Sequence, residues 1–141
     1  MTTLNLPTTR RPKTGQWIIM GAVAALLAAA AVLAVQWIAL AIWPEAALFK
    51  PLDSYARSAL FTIVPALGAT ALFAWLAASR SNPVRAFVRI AIVVLLLSFI
   101  PDYLLPVPDK TFLASSIAAF MHVVAAAVIV SVLVAGYRRY Q

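Results

Sequence analysis

His122 is the only histidine in the chain, and it sits inside the apolar run FMHVVAAAVIV. It lies about ten residues into the apolar segment that starts near Phe112, which is ~15 Å along a helix. If the run crosses a bilayer, that depth is near the middle of the hydrocarbon. An ionisable side chain there marks a functional site by default. The plainer role is a neutral imidazole that hydrogen-bonds a neighbouring helix and fixes packing. Ser115 precedes it by seven residues, two helical turns along the same face. Ser98, on the preceding apolar run, reaches a comparable depth if the two runs form an antiparallel hairpin. A hydrogen bond from Ser98 to His122 is therefore expected. Ser98 as a nucleophile activated by His122 is the sharper alternative, but no third orienting group or oxyanion loop can be named.

Asp102 follows Pro101 at the end of the run that holds Ser98. That position predicts a solvated acid, or one paired with Arg57; a proton carrier working with His122 is the chemical alternative. Gln36 and Thr62 lie in the earlier apolar runs. Together Gln36, Thr62, Ser98, Asp102, Ser115 and His122 form a candidate polar layer. Its bland role is interhelical hydrogen bonding at about 0.6 kcal/mol per contact. Its functional role is a small cavity opening outward. Zinc usually needs three or four protein ligands, and a single histidine with no nearby carboxylate or second histidine does not supply them. The chain has no cysteine, so thiolate metal sites and thiol redox chemistry are excluded. No catalytic residue, cofactor or metal ligand is assigned, and the chain is not read as an enzyme.

The elements that must position these groups are long and apolar. Of 141 residues, 65% are hydrophobic and 11% charged. A soluble domain carries about a quarter charged residues, and so small a chain cannot hide this much apolar surface within itself. The excess must face lipid. Four spans are predicted, at about 17–43, 58–79, 86–105 and 112–137. Residues 1–14 read as a disordered cytoplasmic tail and 15–141 as one all-α, four-helix transmembrane domain. Trp17 and Trp43 bracket the first span as interfacial anchors. A cleaved signal peptide competes for that span, but the apolar run is too long and no cleavage site follows. In the loop after it, Phe49, Leu52 and Tyr55 could lie against the headgroups. Pro65 interrupts the second span and frees the carbonyl of Phe61, to which Thr62 could bond. Ala66, Thr70, Ala74 and Ala78 recur every fourth residue, a small-residue stripe suited to close helix approach. Pro106 and Pro108 end the third span, and Asp109 or Thr111 could cap the fourth.

Charge sets the expected orientation. Arg10, Arg11, Lys13, Arg80, Arg85, Arg89, Arg138 and Arg139 fall on the side of the termini. Lys50, Arg57 and Lys110 fall on the other, with Glu45, Asp53, Asp102 and Asp109. The positive-inside rule then gives an N-in, C-in topology. The net charge of +7 forms no basic stripe with interleaved aromatics, so nucleic acid is not a partner.

VLLLSFIP (Val94 to Pro101), a variable loop, and AAFMHVVAAAVIV (Ala118 to Val130) resemble a bacterial family of small four-span integral membrane proteins classed as a domain of unknown function. The positions that carry the likeness are Ser98, Pro101, Met121 and His122. The resemblance implies four helices and membrane residence and brings no activity or site residue; the expected location is the inner (plasma) membrane. Two functional readings stand. The first is a structural or interaction protein that packs against itself, as a homo-oligomer, or against a larger membrane-protein partner. The second is a small-ligand or proton carrier or sensor built on the polar layer around His122.

Overall fold

The computed structural model describes residues 11–141; most of the predicted tail, residues 1–10, lies outside the described residues. Four helices follow in order: α1 (Thr14–Ile42), α2 (Tyr55–Ser79), α3 (Pro83–Leu104) and α4 (Phe112–Arg138). Two 3-10 turns, Pro44–Leu48 and Lys50–Leu52, connect α1 to α2. No strand occurs among the described residues. All four helices are long and apolar enough to cross a membrane. The fold is an all-α transmembrane four-helix bundle, and the protein is a multi-pass membrane protein.

The helix boundaries have local causes. Pro44 follows the end of α1 and lacks the donor a further turn would need. The Ser54 hydroxyl accepts from the Arg57 backbone N–H at the start of α2. Pro83 occupies the first turn of α3, where a missing N–H costs nothing. Leu105, held extended before Pro106, closes α3. Of the two expected caps for α4, Thr111 fills the role by accepting from Ala114 N–H. Asp109 instead takes a left-handed turn conformation with φ 58°. α2 and α3 run as continuous helices through Pro65 and Pro101.

α1 packs most extensively against α2 and α4, while α3 lies on α4 and more lightly on α2. The bundle has two packed layers. At the end carrying the termini, Met20, Ala24, Ala28, Phe73, Phe87 and Leu133 belong to one cluster. Phe73 is its hub: it stacks on Phe87 with centroids 4.4 Å apart, and Trp17 meets it edge-on at 5.4 Å. At the loop end, Val32 and Ala39 of α1 pack with Ala114, Ile117 and Met121 of α4. Phe49 and Leu52 belong to this second cluster and are each 1% exposed. They turn into the bundle and plug its loop end instead of lying in the headgroups; only Tyr55 stays exposed.

The small-residue stripe divides between the bundle interior and its surface. Ala66 and Thr70 are buried, but Ala74 is partly exposed and Ala78 fully so. The buried face of α2 passes instead through Thr70, Phe73 and Ala77. Steps of four residues overshoot a 3.6-residue turn by about 40° each, so an every-fourth stripe rotates off a straight interface within two turns. Where the stripe does meet α1, contact is tight. A Cβ on Gly21 would come within 2.9 Å of the Thr70 methyl, so glycine is what allows the approach.

Candidate functional site: a buried acid–imidazole pair at the loop end

Asp102 is 5% exposed. Its Oδ2 lies 3.0 Å from Nδ1 of His122. This overturns both expectations for Asp102, since it is neither solvated nor paired with Arg57. Arg57 binds Asp53 four residues upstream and the Lys50 carbonyl. It equally overturns the reading of His122 as a histidine without a nearby carboxylate.

The register of the α3–α4 hairpin explains the pairing. Asp102 stands two residues from the end of α3, whereas His122 is ten residues into α4. The Asp102 carbonyl accepts from the Ser115 hydroxyl at 2.6 Å, and Ser115 stands about 10 Å along the axis from His122. Cα–Cβ bonds tilt toward the N-terminus of their own helix. In an antiparallel pair the Asp102 side chain thus leans into the bundle and the His122 ring leans toward the loop end. The two close the axial gap.

Ser115 answers a specific backbone deficit. The carbonyl of Asp102 would normally accept from the N–H of residue 106, but Pro106 has none. The 1% exposed Ser115 supplies the donor from the next helix. Lys110 serves the same broken end of α3, donating from Nζ to the carbonyls of Tyr103 and Leu105, both at 2.9 Å. The Tyr103 hydroxyl adds a bond to Ser116 at 3.2 Å. Neither Lys110 nor Tyr103 was in the candidate layer. The proline four residues after Asp102 was the sequence feature that pointed to a carbonyl in need of a donor.

The acid–imidazole contact is close but not saturated. Asp102 Oδ2 and His122 Nδ1 are sealed from solvent, and neither makes an aligned hydrogen bond. The His122 side chain as a whole is 43% exposed. Its Nδ1 edge therefore faces Asp102 while the remainder of the ring lies on the bundle surface.

The rest of the predicted layer divides. The Ser98 hydroxyl donates to the Leu95 carbonyl of its own helix, not to His122. The Thr62 hydroxyl donates to Ser58, not to the carbonyl freed by Pro65. Both form bonds within one turn, the cheapest way to satisfy a hydroxyl in lipid. Gln36 is fully buried; its Nε2 donates to the Leu52 carbonyl at 3.0 Å and its Oε1 has no partner. It pins the plug between α1 and α2. Among the described residues no group of three or more His, Cys, Asp or Glu could hold a metal ion.

No curated protein and no solved structure matches the chain. A family model does match, over residues 9–139, and its description is a family of unknown function, DUF6069. Four apolar helices and a match across nearly the whole chain place this protein within that family: it belongs to DUF6069.

Proposed function

We propose that the protein is a proton-responsive membrane protein, a sensor or carrier, whose responsive group is the Asp102–His122 pair. The observation that supports this reading is a carboxylate 5% exposed, at 3.0 Å from an imidazole whose other edge is accessible. Protonated His122 is a cation beside a carboxylate and draws α4 onto α3. Neutral His122 loses most of that attraction. Because protein screens charge far less than water does, the difference is larger here than at an exposed site. The neighbouring charged or titratable groups are Lys110, tied to two carbonyls, and Tyr103, bonded to Ser116; α1 offers the uncharged Gln36.

The orientation proposed with it has both termini in the cytoplasm of a bacterial cell and the protein in its plasma membrane, on the strength of eight basic groups at one end against three at the other. The pair then faces the outer half of the membrane. The test is tryptophan fluorescence of the protein in liposomes between about pH 5 and 8, the interval in which histidine switches. The wild type should show a reversible transition that His122→Asn and Asp102→Asn each abolish, while both variants insert and purify normally. An unchanged transition in His122→Asn would refute the proposal.

A second reading, a structural protein that assembles with a second copy of itself, is favoured by one feature. An open apolar groove of about 330 Å³ runs between α1 and α2, floored by Gly21, Ala22, Thr70, Ala71 and Ala74. Small residues of this kind admit close helix contact. A monomer in lipid nanodiscs at high protein density would dispose of it.

A further inference from the structure

The end of the bundle that carries the termini holds a cavity of about 190 Å³ lined by Arg11, Ala77, Arg80, Ser81, Pro83 and Tyr137, with Gln141 at its rim. We infer that this cavity is a binding site for a phosphate group, supplied either by the headgroup of an anionic phospholipid or by free phosphate. The inference is independent of the Asp102–His122 pair, which lies at the opposite end.

Four observations converge on that chemistry. Its two arginines, both exposed, form no ion pair among the described residues. All four acidic residues of the chain, Glu45, Asp53, Asp102 and Asp109, belong to the loop end, and the ion pairs among the described residues involve Asp53 and Asp102 alone. An arginine fork matches phosphate oxygens in geometry as well as charge. Next, the cavity borders the start of α3, whose Asn82 makes no side-chain cap. Pro83, its first residue, has no N–H, but those of Val84 and Arg85 lack an intrahelical partner, and the dipole of this 22-residue helix favours an anion there. Third, Tyr137 is 5% exposed and forms part of the wall, yet its hydroxyl has no hydrogen-bond partner among the described residues. A phosphate oxygen in the cavity would give that hydroxyl a partner. Lastly, size fits: at about 30 Å³ per water the space equals roughly six waters. Basic pockets between transmembrane helices on the cytoplasmic side, where the orientation proposed above puts this end, are a known form of anionic lipid recognition.

The experiment uses the purified full chain in detergent, with native mass spectrometry to count bound phosphatidylglycerol or phosphatidylcholine at equal concentration. A separate arm measures thermal stability with inorganic phosphate alone. The wild type should retain phosphatidylglycerol at least about tenfold better than phosphatidylcholine, a ratio that one or two charge-assisted contacts supply. Arg80→Gln should lose that preference, and Arg139→Gln, basic and nearby but outside the cavity, should keep it. Ser81→Leu, which fills the space without changing charge, should also lose it. If inorganic phosphate stabilises the protein in an Arg80-dependent way and no lipid preference is seen, the site stands and its ligand is the soluble anion. Equal weakening by Arg80→Gln and Arg139→Gln would mean diffuse attraction to a basic surface and would overturn the site. So would full binding by Ser81→Leu, or binding of neither phosphatidylglycerol nor phosphate.

Discussion

Replacing Ser115 with alanine isolates the contact that holds the end of α3 to α4. An average interhelical hydrogen bond in a membrane contributes about 0.6 kcal/mol, because the separated helices find other partners for the same groups. The Asp102 carbonyl has few such alternatives. Pro106 removes its own helical donor, and the carbonyl is buried against α4. Leaving a buried acceptor unsatisfied costs about 1–3 kcal/mol. Ser115→Ala should therefore destabilise the bundle by about 1–2 kcal/mol, two to three times the membrane average. The alanine itself fits, since it is smaller and no worse a helix former, so packing loss should contribute little. Adding Pro106→Ala to the same chain restores a backbone N–H four residues after Asp102 and allows α3 to close one more bond. Part of the loss should return, giving a coupling of opposite sign to the single effect. Reversible unfolding in mixed micelles, followed by the fluorescence of the four tryptophans, measures all three variants. A Ser115→Ala cost at or below 0.6 kcal/mol, or no coupling to Pro106→Ala, would refute the claim that the proline creates the need that Ser115 fills.

Other substitutions test the packing and the plug. Gly21→Ala sets a Cβ 2.9 Å from a Thr70 methyl that cannot readily turn away, because the Thr70 hydroxyl is bonded to the Ala66 carbonyl; the same unfolding assay should show a net loss of about 1 kcal/mol or more. Gly136→Ala meets only the Met20 side chain, a flexible thioether that can move aside, so its stability should stay within about 1 kcal/mol of wild type. Phe73→Ala, which removes the hub of the ring cluster, should cost about 2–3 kcal/mol, toward the lower side of core phenylalanine deletions, because in lipid the loss is of dispersion and not of transfer from water. Gln36→Leu removes an unpartnered oxygen but strips the Leu52 carbonyl of its donor; overall stability should change little, while amide exchange across residues 44–54 accelerates.

The four spans could be read directly, since length and apolarity suffice where lipid is the solvent. Which face of each span turns inward could not be read from apolar periodicity, because the lipid-facing and the inward-facing residues are equally apolar. The polar residues carried that information. Gln36, Ser58, Thr62, Thr70, Asp102 and Ser115 are all buried, and together they mark the inner face of every helix. Ser98 and Ser116 are less buried and stay tolerable by bonding carbonyls of their own helix. What the sequence withheld was the offset between α3 and α4. Counting residues put Asp102 at a helix end and therefore in water, while His122 lay two turns deeper and apart from it. The end of α3 is not the end of the bundle: Ser115 of α4 stands level with Asp102, and Phe49 and Leu52 pack against α4 at the same end. That offset depends on how the loop 105–111 returns, which is fixed by Lys110 reaching back to the carbonyls of Tyr103 and Leu105 and by the left-handed turn at Asp109. The same loop that looked like a spacer thus decides whether the acid meets solvent or imidazole. Shortening it by one residue would move Asp102 against a different turn of α4, and the acid–imidazole pair would be lost with every apolar contact class in the bundle unchanged.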